Sequence, residues 1–285
     1  MTELKLKNRL IILLLAFPLL LAAQDKSLII LHLNDTHSRI EPYDAASPTN
    51  ANKGGVIRQD AYIREVRNEN PENILIFHCG DFVQGTPYFN LFKGETEMAV
   101  ANELKTDAAC LGNHEFDNGI AELAKMVRKA NFPFIASNLD FTGTPMEGLT
   151  KEYLIIKRNG LKIGVLGLTV SPEGLVSKHN SEGMKYLDPV ESANRVAKFL
   201  KEKKKCDLVI CLSHLGYFPA EDRIGDITVA KQSRNIDIIL GGHTHTFLVQ
   251  PDRRQNLDGK EVVINQAGAN GIYVGSLDVE MERVK

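Results

Sequence analysis

The sequence predicts a layered α/β fold in a single domain that extends from about residue 24 to residue 285. Short apolar runs rich in β-branched residues recur along the chain, as in strands that are covered on both faces. Amphipathic segments lie between these runs, and this β–α alternation is typical of layered α/β proteins. With 285 residues, of which 43% are hydrophobic and 25% charged, the chain is long enough to bury a sizeable core.

Residues 1–23 have the features of a secretory signal peptide. Three basic residues precede an apolar run at positions 10–21, and two alanines follow it. A positive flank, a short apolar core and small residues at its end form the signal-peptide pattern. The run is short for a stable membrane span, and Pro18 interrupts it. We therefore predict an exported protein, periplasmic or extracellular, with an uncleaved anchor as the alternative.

Five short apolar runs predict the principal strands, because continuous runs of this kind suit strands that are buried on both faces. Tyr153–Arg158 and Leu161–Leu166 are joined by Asn159-Gly160, a dipeptide typical of tight turns, and predict a β-hairpin. Alternating apolar and acidic residues over 277–282 predict a half-exposed strand that closes the domain. The five runs are Ser27–Leu33, Ile74–Cys79, Ala108–Leu111, Leu208–Leu212 and Ile236–Leu240.

Amphipathic segments between the strands predict four helices. The strongest pattern covers Asp188–Lys204, where apolar residues recur at helical spacing. Its start has Asp188 as the N-cap, Pro189 at the first helical position and Glu191 at the third. The other predicted helices are Gly55–Asn68, Glu97–Leu104 and Ile120–Ala130.

Net charge and cysteine spacing exclude several classes of function. A formal net charge of −2 provides no basic surface for a nucleic-acid backbone, so we exclude binding to a nucleic-acid polymer. The four cysteines have no CxxC spacing, which excludes a zinc knuckle or a redox motif of that kind. We expect four buried thiols, with a Cys79–Cys110 disulfide left open because export permits disulfides.

Asp, Asn and His residues follow each of the five predicted strands. Ligands of α/β sheets bind outside the carboxyl ends of the strands, so we expect these side chains to meet at one edge of the sheet. Each motif alone is compatible with an ordinary surface turn, but five of the eight histidines fall in these turns. The turns are Asn34-Asp35-Thr36-His37, Gly80-Asp81, Gly112-Asn113-His114-Glu115-Phe116-Asp117, Ser213-His214 and Gly241-Gly242-His243-Thr244-His245.

Seven side chains in these turns form a candidate ligand set for two metal ions. Seven ligands are too many for one tetrahedral ion and suit two ions that share a carboxylate. Mixed Asp, Asn and His ligation suits Mn, Fe, Zn or Co, and the lack of thiolate ligands argues against a structural zinc site. Two ions about 3.5–4 Å apart form a clamp for in-line displacement at phosphorus. The seven are Asp35, His37, Asp81, Asn113, His214, His243 and His245.

The motifs NDTH, GD, GNHEFDNG, SHLG and GGHTH, in this order, resemble those of the calcineurin-like metallophosphoesterases. As a set they resemble specifically the catalytic domain of the 5′-nucleotidase family, over essentially the whole chain after residue 23. The resemblance implies a metallophosphatase-type β-sandwich flanked by helices, with residues 24–285 as the catalytic domain and two divalent metal ions as cofactors. It implies that Asp35, His37, Asp81 and His245 hold one ion and that Asp81, Asn113, His214 and His243 hold the other, with Asp81 as the bridge.

The resemblance also implies that His114 and Asp117 form a catalytic His–Asp dyad. His114 would lie beside the metals without binding them, and would stabilise a phosphoryl oxygen or protonate the leaving group. Asp117 would accept the other ring N–H of His114 and fix its tautomer. Glu115 is the competing candidate for that second role, and it is less favoured because adjacent side chains diverge.

The function that the resemblance implies is a dinuclear-metal phosphohydrolase that releases phosphate from a small phosphoester, above all a nucleotide. In the 5′-nucleotidase family a C-terminal domain binds the nucleobase and phosphate, and the sequence ends at Lys285, where that domain would follow. A separate chain that supplies this domain, a longer protein and a less selective phosphomonoesterase are all left open. The alternative activities are a 2′,3′-cyclic-nucleotide phosphodiesterase with 3′-nucleotidase activity and a non-enzymatic metal-binding or interaction module.

Overall fold

Two six-stranded β-sheets packed face to face form the centre of the fold, as the predicted α/β sandwich requires. The computed structural model describes residues 26–218 and 223–281, and the predicted signal peptide at 1–23 lies outside the described residues. The strands are β1 Lys26–Leu33, β2 Ile74–Cys79, β3 Ala108–Cys110, β4 Phe134–Ile135, β5 Leu139–Asp140, β6 Thr150–Lys151, β7 Tyr153–Arg158, β8 Leu161–Thr169, β9 Lys185–Tyr186, β10 Leu208–His214, β11 Ile238–Leu240, β12 Asp252–Gln255, β13 Glu261–Asn265 and β14 Gly275–Met281.

Each sheet has parallel strands at its centre and antiparallel pairing only at its edges. The first sheet has the order β14-β1-β2-β3-β4-β6, and β14 is its antiparallel strand. The second has the order β12-β13-β11-β10-β8-β7, with antiparallel pairs at both edges. β5 and β9 form a separate antiparallel pair. The β7–β8 pair is the hairpin predicted around Asn159-Gly160, and β14 is the predicted closing strand.

Aliphatic and aromatic side chains fill the space between the two sheets. Ile30 and Phe77 come from the first sheet and Ile163 and Ile210 from the second, and all four are fully buried. The outer faces of the same strands are covered as well. Burial on both faces explains why these strands appear in the sequence as continuous apolar runs.

Helices cover the outer face of each sheet through one apolar side. In the first half of the chain Ile63 packs against β1 and β2, and Met98 packs in the cluster that includes β3 and β4. In the second half Val196 and Val229 pack on the outer face of β8 and β10. The helices are α1 Val56–Glu69, α2 Pro87–Phe92, α3 Glu95–Glu103, α4 Ile120–Val127, α5 Pro189–Lys198 and α6 Asp226–Gln232.

α5 begins as predicted and ends earlier. The Asp188 side chain caps it by accepting the backbone N–H of Glu191, at 2.8 Å. The predicted helix extends to residue 204, but the α-helix ends at Lys198. A π-helical turn follows it over Phe199–Lys203. Leu200 in this turn is fully buried against Gly164, so the wider turn keeps an apolar contact with the sheet where a regular helix was expected.

All four cysteines are buried free thiols, as expected for small apolar side chains in strands. Cys79 and Cys110 lie opposite each other on β2 and β3, where a disulfide was left open. They are not bonded, and burial raises the pKa of both thiols well above the ordinary value. Cys79 and Cys110 therefore belong to the core between the sheets, whereas Cys206 and Cys211 belong to the cluster between the second sheet and its helices.

Candidate active site

The five polar turns meet at one end of the sandwich, at the carboxyl ends of strands from both sheets. β1, β2 and β3 belong to the first sheet, and β10 and β11 belong to the second. The expectation of a single sheet edge was therefore wrong, because periodicity identifies strands without assigning them to sheets. The carboxyl ends of two stacked sheets nevertheless bring the same turns together, and they surround the site from two sides.

The structure groups six of the predicted ligands into two clusters, each with three ligand atoms within 4.8 Å of one another. The first cluster contains Asp35, His37 and His245. The second contains Asp81, His214 and His243. The two clusters adjoin, because His214 Nε2 lies 3.0 Å from Asp81 Oδ2 and 3.9 Å from Asp35 Oδ1.

In the first cluster two imidazole nitrogens face each other beside a carboxylate. His37 Nε2 lies 2.9 Å from His245 Nε2, which in turn lies 3.3 Å from Asp35 Oδ1. His37 Nδ1 lies 3.2 Å from the carbonyl oxygen of Val83, to which it can donate its proton. That hydrogen bond leaves the Nε2 lone pair free to bind a cation.

Two buried atoms of the predicted second ligand set lack a well-directed hydrogen-bond partner among the described residues. They are Nε2 of His214 and Oδ1 of Asn113, the seventh predicted ligand. The other ring nitrogen of His214 is 2.6 Å from the carbonyl oxygen of Cys79, which fixes the tautomer that leaves Nε2 available. His214 Nε2 instead faces Asp81 Oδ2 at 3.0 Å, and buried nitrogen and oxygen donors without well-directed hydrogen bonds fit a divalent metal ion.

The electrostatics of the site favour positive charge. Asp35 and Asp81 are 0% and 2% exposed, so their negative charges need compensation. Burial alone would raise the pKa of Asp81, but the neighbouring His214 and His114 hold it below its ordinary value. Burial lowers the pKa of His214, and the Asp81 and Asp35 carboxylates more than reverse that effect. A cation bound between these carboxylates would take the place of the proton on His214.

Five of the predicted ligands have a left-handed backbone conformation that non-glycine residues rarely adopt. Their φ angles are 50° for Asp35, 49° for His37, 54° for Asp81, 75° for His243 and 53° for His245. Such a conformation costs on the order of 1–3 kcal/mol per residue, and it concentrates at functional sites. The strained residues belong to both of the adjoining clusters.

Two glycines of the motifs allow the turns to approach each other closely. A Cβ atom on Gly112 would lie 2.2 Å from Asp81 Oδ1. A Cβ atom on Gly242 would lie 2.7 Å from the carbonyl oxygen of Cys79 and 2.8 Å from His214 Nδ1. Only glycine fits at these two positions, which explains the glycine that precedes Asn113 and the one that precedes His243.

Glu115 holds the turn that carries Asp81. Its carboxylate accepts backbone N–H groups from Asp81 at 2.9 Å, from Phe82 at 2.8 Å and from Gly112 at 2.5 Å. Burial, reinforced by the charge of Asp81, raises the pKa of Glu115 to about 7. These hydrogen bonds direct the Glu115 carboxylate toward the backbone of the Asp81 turn and not toward His114. Glu115 was the competing candidate for orienting His114.

Asn34 orients the carboxylate of Asp35. Its amide nitrogen lies 2.7 Å from Asp35 Oδ2 and 2.6 Å from the carbonyl oxygen of Gly268. The sequence did not predict that Asn34 orients Asp35 or that Glu115 holds the turn of Asp81. Their membership in the polar turns was the only available signal, because backbone hydrogen bonds to side chains cannot be read from residue types.

His114 and Asp117 form a hydrogen-bonded pair at the edge of the two clusters. His114 Nδ1 lies 2.7 Å from Asp117 Oδ2, and the imidazole ring centroid is 5.4 Å from that of His37. The hydrogen bond to Asp117 raises the pKa of His114 against the opposing effect of burial. Both side chains are about one third exposed, at 31% and 28%, so His114 is accessible to a molecule in the site.

The chain belongs to the calcineurin-like phosphoesterase family, whose sequence model matches residues 28–247. Together with the two His/Asp clusters, this family membership makes the chain a metallophosphoesterase, a hydrolase of phosphoric esters.

Individual relatives are similar over about half of their own length. A snake venom 5′-nucleotidase from Crotalus adamanteus is 34% identical over 278 residues, which are 90% of this chain and 46% of that protein. A 5′-nucleotidase precursor from Thermus thermophilus has a TM-score of 0.79 and 31% identity, covering 89% of this chain and 51% of that one. An NAD nucleotidase from Haemophilus influenzae has the same TM-score at 28% identity, covering 90% and 47%.

No helix within residues 26–218 and 223–281 combines the length and the apolar character that a membrane crossing requires.

Proposed function

We propose that this chain is a dinuclear-metal phosphohydrolase that releases phosphate from nucleoside monophosphates. The observation that carries the proposal is the convergence of two adjoining His/Asp clusters on one point beside the His114–Asp117 pair. Similarity to a snake venom 5′-nucleotidase and to a 5′-nucleotidase precursor supports a nucleotide as substrate.

The proposed ligands divide between two ions of Mn, Fe, Zn or Co. When bound, such ions activate a water nucleophile and neutralise charge on the phosphoryl oxygens. The short approach of His214 to both carboxylates supports a shared centre, with Asp81 as the bridging ligand. The first ion takes Asp35, His37, Asp81 and His245, and the second takes Asp81, Asn113, His214 and His243.

The proposed role of His114 is to donate a proton or a hydrogen bond to the reacting phosphoester. Because Asp117 accepts the Nδ1–H, the Nε2–H is the group left to face a substrate. The raised pKa favours the imidazolium form, which can stabilise a phosphoryl oxygen or protonate the leaving alkoxide. Asp117 acts as the residue that orients and charges His114.

This chain spans about half of the length of each of these relatives, and this difference in length bears on substrate specificity. We place part of the recognition of the nucleoside in a second domain or in a separate chain that would complete the site. We also place the protein outside the cytoplasm, in the periplasm or the medium, on the signal-peptide pattern of residues 1–23. Residues 24–285 then form the catalytic domain.

The substrate proposal is tested by phosphate release from AMP, an aryl phosphate and 2′,3′-cyclic AMP in the presence of Mn²⁺. We expect kcat/KM for AMP to exceed that for each of the others by at least about tenfold, a difference of about 1.4 kcal/mol. Equal turnover of AMP and the aryl phosphate would reject nucleotide selectivity for this chain. Preference for the cyclic nucleotide would indicate a phosphodiesterase, and metal binding without cleavage of any ester would indicate a non-enzymatic module.

A further inference from the structure

A small cavity lies beside the loop that carries Asp35 and His37. It has a volume of about 30 Å³ and lies between this loop, α1 and α3. Its polar lining includes Ser38, Arg39, His78 and Glu97, and the rest of the wall is mainly apolar. None of these four side chains is among the predicted metal ligands or the catalytic pair.

Five polar atoms in the wall of this cavity lack a well-directed hydrogen-bond partner among the described residues. They are Ser38 Oγ, Arg39 Nε, His78 Nδ1 and both carboxylate oxygens of Glu97. The Ser38 hydroxyl lies near the Glu97 carboxylate, since it opposes the effect by which burial raises the pKa of Glu97. Twelve buried side-chain atoms in residues 26–218 and 223–281 are without a partner, so this one cavity accounts for five of them. Because buried polar atoms are nearly always paired, such a concentration indicates a ligand that pairs with them.

The charged groups in the wall of the cavity determine which kind of ligand fits it. The guanidinium of Arg39 donates hydrogen bonds and the carboxylate of Glu97 accepts them, so a ligand that both donates and accepts fits the cavity. A metal cation in the cavity would be repelled by the positive charge of Arg39. A water molecule needs roughly 10–15 Å³ of such space and makes about three hydrogen bonds, so the cavity has room for about two waters.

The same cavity connects Glu97 to the metal-binding loop. Ser38 directly follows His37, and both have left-handed φ angles, of 53° and 49°. On the other side of His37, Thr36 Oγ1 lies 3.1 Å from His78 Nε2. Water that bridges Glu97 to Ser38 and His78 would hold both neighbours of His37.

We propose that about two ordered waters occupy this cavity and that Glu97 is a positioning residue for the metal-binding loop. Glu97 is only 4% exposed and lies in α3, so it offers a rigid anchor for the strained loop. The positioning role rests on the proposed metal binding by Asp35 and His37, whereas the occupancy of the cavity by water does not.

The test measures metal affinity without any need for turnover. Mn²⁺ is titrated calorimetrically into the metal-stripped chain and into Glu97→Leu, Glu97→Gln and Glu103→Leu, the last a control at an exposed position of the same helix. We expect Glu97→Leu to bind Mn²⁺ roughly tenfold more weakly, as when a group that supports metal ligands is lost. Glu97→Gln keeps a side chain of the same size that still forms hydrogen bonds with water, and Glu103→Leu leaves the cavity intact, so both should retain the affinity of the unchanged chain.

A high-resolution crystal structure of the unchanged chain gives a second readout that does not depend on how the variants fold. Ordered water that bridges Glu97 to Ser38 or His78 supports the inference. A dry cavity, a cation in it, or unchanged Mn²⁺ affinity in a folded Glu97→Leu overturns it. If the unchanged chain fails to bind Mn²⁺, the proposed function fails instead, and the crystal structure still decides whether the cavity holds water.

Discussion

Replacing Asp81 by alanine is expected to remove both metal ions and to lower kcat/KM at least about 10³-fold, or about 4 kcal/mol. Its carboxylate is buried in the second cluster, with Oδ2 at 3.0 Å from His214 Nε2 and Oδ1 at 2.9 Å from the backbone nitrogen of His114. A shared carboxylate contributes to both ions, so its loss affects both. Metal content per chain, measured by elemental analysis after gel filtration, gives the result directly.

Asp35→Ala provides the matched control for this experiment. Asp35 is equally buried but is assigned to the first ion alone, so we expect its variant to retain one ion per chain. Circular dichroism confirms that each variant is folded before its metals are counted. If Asp81→Ala retains one ion, or if both variants lose the same number, Asp81 is not the bridge.

His114→Asn is expected to keep both metal ions and to lose about 10²–10⁴ of kcat, the range that general acid–base groups contribute. The pair with Asp117 has its own 2.7 Å hydrogen bond and lies at the edge of the metal clusters. Its removal therefore leaves both ligand sets intact. Steady-state kinetics with AMP, together with metal content, separates the loss of turnover from a loss of metal.

A second substrate identifies the atom on which His114 acts. With an aryl phosphate the leaving phenolate needs little protonation, so a smaller loss than with AMP indicates proton donation to the leaving group. An equal loss indicates stabilisation of a phosphoryl oxygen. His179→Asn, which alters an exposed histidine, is the control and should retain full activity. Loss of a metal ion in His114→Asn would mean that the residue is a ligand.

Much of the fold could be predicted because its strands are buried on both faces. Ile74–Cys79 is a strand with the predicted bounds, and the N-cap at Asp188 forms as its sequence indicates. The end of α5 could not be predicted, because helical periodicity continues through the π-helical turn at Phe199–Lys203. The division of the strands between two sheets could not be predicted either, because the apolar pattern of a strand reports only whether that strand is buried.

The composition of the candidate site was predictable because its side chains follow the strands immediately in sequence. The structure groups six of the seven predicted ligands in two clusters for this reason, and it pairs His114 with Asp117. The supporting contacts were not predictable. Glu115 accepts three backbone N–H groups, and Glu97 lines a cavity formed by residues distant in sequence, so both roles depend on tertiary geometry alone.

The central claim is that two cations share Asp81, and anomalous diffraction from crystals of the chain grown with Mn²⁺ tests it most directly. We expect two anomalous peaks about 3.5–4 Å apart, one in each His/Asp cluster, with the Asp81 carboxylate between them. A single peak, peaks away from Asp81, or no peak in crystals that contain Mn²⁺ elsewhere would contradict the dinuclear centre and the hydrolytic function that depends on it.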